Sequence, residues 1–555
     1  MKYTSATLIL TIVAGAMLTQ AQNPSPPPVF KSKTDLVLVP VIVRDRHNEH
    51  VPGLTASDFT VEDNGVPEAL VSVEEISSNT TLPQPIAPKD GVFTNQFVDQ
   101  QPKAVVIVVL DLVNTPALEM AGARKAVLKF LATRIKQNQV LGLVTIEPGR
   151  VRLLHAFTSS AVVLSEALQR VTGISSTTSE LPTNGDAGRL NSAHEREVGT
   201  AAAGLTAMMV QAQREIQEAM ASTNATRREQ GIKSTLESLR IISSWVAGIP
   251  GRKALLWVTG SVPFVVQSST SNLEAEDYNR SMKALSDANI AVYPVDARGL
   301  FNADFDAQSG VYLGSGPYAE QQGRASISSV PAPQDPAYSH FAMNDFAQAT
   351  GGLALYNRND IEKMLDTAAS DSAKYYMLSY YLRPRKPGWH KLKVSVKRRG
   401  VTTRARSGFL VVTLQPETDA VRQVEENTAL LSPFDYTALP LSLKWTSSTL
   451  QEGKRKVHFE ISIPASAGLV DDGDRNVLDL DFIAVATAVT GETAGLTSRN
   501  VHSNPKPAAM RQIEANGVTY VSDLDLNPGE YAIRVVVRDN ITGRLGAVTA
   551  PLRVE

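Results

Sequence analysis

Residues 104–115 read AVVIVVLDLVNT, and this stretch carries most of the information about the fold. The run from Ala104 to Leu110 is entirely aliphatic, which is typical of a strand buried on both faces of a parallel sheet. Asp111 and Thr115 follow directly, at the carboxyl end of the predicted strand. Open α/β sheets bind ligands and metal ions at that edge. The stretch therefore predicts a buried central strand and a polar site at its end.

Strand and helix patterns alternate after this run. The predicted helices repeat apolar residues at steps of three and four, whereas the strands between them are short apolar runs. The predicted strands are Val140–Ile146, Ala254–Val258 and Ile290–Val295, and the predicted helices are 117–136, 161–171, 272–287, 341–349 and 359–372. A further helical stretch is predicted before Ala254, with Ile232, Leu236, Leu239, Ile242 and Val246 on one face. Such alternation predicts a mostly parallel sheet covered on both faces. Residues 80–101 and 415–432 are predicted to be linkers, and 301–340 a long loop.

The composition of the 555 residues excludes several classes of protein. The formal net charge of −2 gives no attraction for nucleic acid, and the basic run Lys397–Arg399 is predicted to be a solvated turn. The chain has no cysteine, so disulfides and thiolate chemistry are excluded. It also contains no H-E-x-x-H, G-x-S-x-G or P-loop motif. We therefore expect a protein that is not an enzyme and does not bind nucleic acid.

The first 22 residues have the pattern of a bacterial secretory signal peptide. Lys2 precedes the apolar segment Ala6–Leu18, and small residues stand at Thr19 and Ala21. The apolar segment is too short to cross the ~30 Å hydrocarbon core of a membrane as a helix. Cleavage is expected after Ala21, which predicts a secreted or periplasmic protein with no integral membrane segment after cleavage.

Four segments together resemble a family related to the von Willebrand factor type A (VWA) domain, which is common in secreted proteins of acidobacteria. They are PVIVRDRHNEHVPGLTASDFTVEDNG (40–65), the run ending in Asp111, IPGRKALLWVTGSVP (249–263) with NIAVYPVDARGL (289–300), and ATGGLALY (349–356) with the segment 375–409. The resemblance covers roughly residues 33–412.

The resemblance implies an α/β fold with a VWA-like, doubly wound, mostly parallel sheet. This domain would be inserted in, or flanked by, a β-sandwich module, and an all-β, immunoglobulin-like domain would follow. The expected boundaries are a signal peptide at 1–22, a β segment at 33–80 that pairs with a closing β segment at 375–412, the α/β domain at 102–372, and the C-terminal sandwich at 433–555.

The resemblance also implies a Mg²⁺ site, because VWA domains hold this ion through an Asp-x-Ser-x-Ser motif. Asp111 and Thr115 match two of these positions, but Val113 occupies the first serine position and offers no oxygen. Thr259-Gly260-Ser261 stands where the family usually has Thr-Asp-Gly, so a second carboxylate is also missing. Mg²⁺ binding is therefore expected to be weak at this degenerate site. The alternative is that Asp111 and Thr115 cap a helix that begins near Pro116.

The expected function is protein–protein interaction or adhesion at the cell envelope, with a protein ligand that the sequence does not identify. The recognition rim would contain Asn114, Thr259, Ser261 and Asp296 beside Asp111 and Thr115. Two alternatives stay open. One is a structural scaffold whose VWA core binds nothing, and the other is a secreted enzyme or accessory subunit whose site is not readable from the sequence. Asp471–Asn476 is predicted to be a solvated turn, and Thr177, Thr178 or Thr183 would supply a further metal ligand.

Overall fold

A computed structural model describes most of the chain. The described residues are 36–78, 81–98, 103–134, 140–170, 229–264, 272–298, 336–357, 361–382, 387–411, 417–432, 434–451, 454–469 and 477–555, with single positions between 211 and 226. The predicted signal peptide, the candidate ligands Thr177, Thr178 and Thr183, and the turn Asp471–Asn476 lie outside them. Among the described residues, no helix is long and apolar enough to cross a membrane.

The described elements comprise eight α-helices and twenty-one strands. The helices are α1 (Ala117–Arg134), α2 (Ala161–Gln169), α3 (229–246), α4 (Asn272–Asp287), α5 (Pro336–Thr350), α6 (Ile361–Asp371), α7 (Asp419–Leu431) and α8 (Pro507–Asn516). The strands are β1 (Leu36–Asp45), β2 (Phe59–Asp63), β3 (Val66–Glu68), β4 (Leu70–Ser77), β5 (Val92–Thr94), β6 (Val105–Asp111), β7 (Val140–Glu147), β8 (Arg150–Thr158), β9 (Lys253–Thr259), β10 (Ile290–Asp296), β11 (Lys374–Tyr381), β12 (Gly388–Val396), β13 (Val401–Arg404), β14 (Gly408–Val411), β15 (Ser442–Gln451), β16 (Lys454–Ile463), β17 (Leu478–Ala488), β18 (Thr493–Ser503), β19 (Val518–Leu526), β20 (Gly529–Asp539) and β21 (Leu545–Val554).

The prediction that the chain is an α/β protein built on a doubly wound, mostly parallel, VWA-like sheet is wrong. Strand accounts for 46% of the structure and helix for 28%. Four of the five described sheets are antiparallel, and the fifth is mixed. The apolar run at 104–110 predicts only the strand that it forms and not the fold class of the whole chain. The more numerous half-buried strands carry polar residues at alternate positions, so they contribute a weaker signal.

The mixed sheet has the strand order β10-β9-β6-β7-β8. Its first four strands run parallel, whereas β8 pairs with β7 in the antiparallel direction and was not predicted. Every residue of β6 is buried, because apolar helices cover both faces of the strand. The periodic set Ile232, Leu236, Leu239, Ile242 and Val246 of α3 packs on one face together with residues of α4 and α5. Residues of α1, α2 and α6 pack on the other.

An N-terminal β-sandwich combines strands from two distant parts of the chain. One sheet has the order β13-β1-β11-β4 and the other β14-β12-β2-β3. Their shared core is aliphatic and aromatic, and it includes Val39, Val41 and Val43 of β1 from one sheet and Phe59 and Val61 of β2 from the other. The strands of 36–77 therefore form sheets only with those of 374–411, since two or three strands alone are marginal in water.

A C-terminal β-sandwich is completed in the same way. Its sheets have the orders β19-β16-β15-β5 and β18-β17-β20-β21 around one apolar core. The edge strand β5 comes from 92–94, far earlier in the chain, and pairs with β15. The segment around it was predicted to be only a linker. The C-terminal sandwich is thus joined to the chain that precedes the mixed sheet as well as to the chain that follows it.

The predicted linker at 415–432 contains the helix α7 instead. Thr418 begins it, because its side-chain oxygen accepts a hydrogen bond from the Val421 amide at 3.4 Å. At its other end, the Arg534 guanidinium donates to the carbonyl oxygens of Ala429 and Phe434. A cation at a helix carboxyl terminus stabilises the helix dipole. These contacts place α7 against the C-terminal sandwich.

Asn95 should be essential for the attachment of β5. Its buried side chain donates to the carbonyl oxygens of Tyr436 (2.7 Å) and Leu439 (2.9 Å) and accepts from the Leu441 amide (2.9 Å). We expect Asn95→Ala to lower the free energy of unfolding by about 2–4 kcal/mol, because buried backbone groups lose their partners. Urea unfolding followed by circular dichroism measures this. The exposed Gln84→Ala is the control, and equal stability of both variants would contradict the assignment.

Candidate functional site

The predicted site residues meet at the carboxyl ends of three parallel strands. Asp111, Thr259 and Asp296 are the last residues of β6, β9 and β10, and the register pairs Asp296 with Thr259. Parallel pairing of β6 with β9 brings Asp111 beside Thr259. The structure therefore unites residues that are up to 185 positions apart (296 minus 111) at one sheet edge.

The Asp111 carboxylate is completely buried and accepts five hydrogen bonds. Its Oδ1 accepts from the backbone amides of Val113 and Asn114, both at 3.0 Å. Its Oδ2 accepts from the Asn114 side-chain amide (2.8 Å), Trp257 Nε1 (3.1 Å) and Thr259 Oγ1 (2.9 Å). Burial raises the pKa of Asp111, and the hydrogen bonds to the carboxylate act in the opposite direction. Both oxygens are thus engaged by protein donors.

Thr115 and Thr259 also use their hydroxyls within the protein. Thr115 Oγ1 accepts from the Gly260 amide at 2.8 Å. Thr259 Oγ1 donates toward Asp111 and lies 2.8 Å from the Ser261 carbonyl oxygen. The backbones approach so closely here that a Cβ on Gly260 would lie 2.9 Å from the Asn114 carbonyl oxygen. A glycine is therefore required at this position.

This arrangement does not fit the shell that Mg²⁺ requires. Mg²⁺ binds near-octahedral oxygen ligands at 2.0–2.1 Å and retains several waters. Here N–H and O–H donors already face the Asp111 oxygens, and Val113 packs in the apolar core beneath them. Among the described residues, no group of three or more His, Cys, Asp or Glu side chains is placed to hold a metal ion. Asp111 instead accepts hydrogen bonds from the Val113 and Asn114 amides and so orders the loop before α1, whereas Thr115 Oγ1 accepts from the Gly260 amide.

A second polar cluster surrounds Asp296. Its Oδ1 accepts from the backbone amide and Nε of Arg298, and its Oδ2 accepts from a terminal nitrogen of Arg298 and from His340 Nε2, all at 2.9 Å. Burial alone would raise the pKa of Asp296, but His340 and Arg298 hold it below its ordinary value. The His340 ring stacks on Tyr356, with ring centroids 4.2 Å apart. Asp296 is therefore a fixed, ionised group that positions the Arg298 guanidinium and the His340 ring.

Glu119, in the first turn of α1, lies near this cluster. Burial raises its pKa, and the neighbouring Arg298 opposes that effect while Asp296 adds to it. Its Oε2 is buried and has no hydrogen-bond partner among the described residues. Glu119 and the Asp296 cluster therefore form a second polar region at the sheet edge. This region is more accessible than the buried Asp111 carboxylate.

His340, Tyr356 and Glu119 were not predicted to belong to this edge. His340 belongs to the segment that was predicted to be a loop, 301–340. In the structure it lies in the first half of α5, and its ring is within hydrogen-bonding distance of Asp296. Of the predicted rim, Asn114 and Ser261 remain partly exposed, and the Asn114 amide also donates to Thr235 Oγ1 of α3 at 2.9 Å.

No family model matches the sequence, and no curated protein matches it. Solved structures similar to the chain include a putative β-galactosidase from Bacteroides fragilis, with 12% identity over 33% of this chain and 26% of that one and a TM-score of 0.15. Another is the pilus adhesin SpaC from Lactobacillus rhamnosus GG, with 9% identity over 86% of this chain and 57% of that one and a TM-score of 0.24.

The chain therefore spans less than two thirds of the length of these structures. Scores this low carry no argument about fold or function. The resemblance to the VWA-related family stays a prediction.

Asp111→Ala should destabilise the protein strongly. The substitution removes the common acceptor of five hydrogen bonds, so we expect the free energy of unfolding to fall by about 3–5 kcal/mol. Urea unfolding followed by tryptophan fluorescence measures this, since Trp257 is one of the donors. The exposed Asp525→Ala should change stability by less than about 0.5 kcal/mol. Calorimetric binding of Mg²⁺ that the wild type shows and the variant lacks would contradict a purely structural Asp111.

Proposed function

We propose that this chain is an exported, non-catalytic binding protein that uses a rigid scaffold to present the polar sheet edge to a protein ligand at the cell envelope. The observation that supports this most is the closed hydrogen-bond set of Asp111. A carboxylate engaged by five internal donors is not available as a base, a nucleophile or a metal ligand. Binding would then depend on surface groups around it and not on a cation.

The way the chain links its modules supports the rigid scaffold. Strand β5 joins the C-terminal sandwich, and β1 and β2 join strands that follow the mixed sheet. The segment between α7 and β15 adds a direct contact, because the Thr437 amide donates to the Ser244 carbonyl oxygen of α3 at 2.8 Å. Relative motion of the modules would require several strand pairs to break. Catalytic cycles that need domain closure are therefore disfavoured.

The expected location rests on residues 1–22. Their n-region, short apolar segment and small residues before the cleavage position are the pattern of a secretory signal. The absence of cysteine is compatible with an exported protein whose stability comes from its cores. We therefore propose a secreted or periplasmic mature chain that begins after Ala21.

A scaffold with no ligand at this edge is the second candidate. The burial of Asp111 is compatible with this candidate as well. A cavity of about 460 Å³ favours it, because this cavity lies away from the sheet edge, between α3, α4 and the C-terminal sandwich. In that case the mixed sheet would only hold the two sandwiches together. The two candidates differ in whether the partly exposed rim residues matter for binding.

Binding to the envelope tests the proposal. The mature chain is cosedimented with envelope fractions of the source bacterium, with Mg²⁺ or with excess EDTA. We expect equal binding in both, and a loss of about tenfold, near 1.4 kcal/mol, for Ser261→Arg, whose long charged side chain would block the rim. Val489→Arg, at an exposed turn in the C-terminal sandwich, is the matched control.

Thermal unfolding of both variants verifies that they fold. Undiminished binding by Ser261→Arg would contradict the role of the rim as a recognition surface and would favour the scaffold without a ligand. Loss of binding in EDTA would show that a cation is required, which the Asp111 geometry does not predict.

A further inference from the structure

A cluster of arginine side chains lies where the N-terminal sandwich meets the mixed sheet. Arg44 of β1 and Arg404 of β13 both pair with the Asp371 carboxylate at the end of α6, and Arg44 Nη2 lies 3.0 Å from Asp371 Oδ1. Arg252, directly before β9, is 1% exposed and has no ion pair among the described residues. Arginine stays protonated in proteins even when it is buried. Three guanidinium groups thus have one bonded carboxylate between them, so the cluster carries an excess of positive charge.

The turn after α5 brings Arg252 close to the strand that carries Arg404. Arg252 Nη2 donates to the Gly351 carbonyl oxygen at 2.6 Å. A Cβ on Gly351 would lie 3.5 Å from Arg252 Nη2 and 3.0 Å from the amide nitrogen of Arg406, which follows Arg404 by two residues. In addition, Arg404 Cζ lies 5.9 Å from the centre of the Tyr293 ring in β10. Arg252, Arg404 and Tyr293 therefore meet at one junction, although three distant parts of the chain supply them.

Four hydrogen-bond donors in this cluster have no acceptor. Arg44 Nε, Arg252 Nη1, Arg404 Nε and the Tyr293 hydroxyl are buried and have no hydrogen-bond partner among the described residues. Buried polar groups of native proteins are almost always bonded to protein, water or an ion, so several orphan groups in one place need an explanation. Guanidinium nitrogens can only donate hydrogen bonds. The missing partner must therefore be an acceptor, and the excess of positive charge favours a negative one.

Tyr293 can donate to the same acceptor. Its side chain is completely buried, and burial raises its pKa, so the hydroxyl keeps its proton at neutral pH. Arg252 and Arg404 oppose this rise, whereas Asp371 adds to it. A protonated hydroxyl next to two guanidinium groups adds a neutral donor to the charged ones, which is a suitable donor set for a buried anion.

We infer that Arg44, Arg252, Tyr293 and Arg404 form a binding site for a small monovalent inorganic anion of the size of chloride. The ion accepts hydrogen bonds from the unpartnered guanidinium nitrogens and from the Tyr293 hydroxyl, and its charge offsets part of the positive excess. Asp371 already occupies one side of Arg44 and Arg404, and the Gly351 carbonyl oxygen occupies Arg252 Nη2. The remaining donors therefore suit a single small ion and not a large organic acid.

The bound ion would connect two modules of the chain. Arg44 and Arg404 belong to paired strands of the N-terminal sandwich, whereas Arg252 and Tyr293 belong to the mixed-sheet module. A ligand that binds only the folded state raises the free energy of unfolding as its concentration rises. Chloride therefore stabilises this junction, and it does so independently of the sheet edge that we propose as the binding surface for a protein ligand.

Thermal unfolding of the mature chain at constant ionic strength tests the site, with sodium chloride exchanged for sodium gluconate, whose anion is a large organic acid. We expect the wild type to melt about 2 °C or more higher in chloride, and the gain to saturate as the chloride concentration rises. Tyr293→Phe removes a donor that has no partner among the described residues, so this variant should fold and lose most of the gain. Arg252→Met should lose all of it.

Tyr278→Phe is the matched control, because the Tyr278 hydroxyl is also buried without a partner among the described residues. Tyr278 packs on the opposite face of the mixed sheet from Tyr293, so this variant should keep the full gain. A crystal soaked in sodium bromide should show the anomalous signal of a bromide ion beside Arg252 and Arg404. Equal melting of the wild type in both salts, an equal gain in Tyr293→Phe and Tyr278→Phe, or no bromide at the cluster would each overturn the anion site.

Discussion

The buried carboxylate of Asp111 is the interaction on which the centre of the molecule depends. An isolated ionised carboxylate in an apolar core costs several kcal/mol or more. Five donors from the β6–α1 loop and from β9 compensate for the lost water. This requirement fixes the loop after β6, the orientation of Trp257 and the close approach of Gly260 to the start of α1.

The same solution recurs where distant parts of the chain meet. In the N-terminal sandwich, the Asp63 carboxylate is buried against His390, which comes from a strand more than 300 residues later. Near α6, Asp371 pairs with Arg44 of β1 and Arg404 of β13. Breaking such a pair leaves an uncompensated buried charge, which is far more costly than losing an exposed pair. These contacts favour the observed strand arrangement, because each carboxylate has its compensating groups in segments that are distant in the sequence.

The sequence predicts those elements whose signal is local. The aliphatic run of β6 and the three- and four-residue spacing in α3 both come from burial against an apolar neighbour, and both match the structure. The predicted fold class of the whole chain was wrong for two reasons. Strands β8, β15 and β18 mix polar and apolar residues, and β5 is only three residues long. In the site, strand order brings Asp111 and Thr259 together. The position of His340 depends instead on where α5 begins, which no local pattern determines.

Ion pairs of Glu425 join α7 both to α3, which covers the mixed sheet, and to β20 of the C-terminal sandwich. Arg240 of α3 pairs with Glu417 and Glu425, and Arg538 of β20 donates to the same two carboxylates. Burial lowers the pKa of Arg538 to about 10, so it stays charged at neutral pH.

Burial raises the pKa of Glu425 in the same network, and Arg240 and Arg280 oppose that effect. Three arginines therefore face two glutamates near Glu425, whereas Glu426 faces an aspartate. Adjacent residues of one helix thus meet opposite electrostatic surroundings.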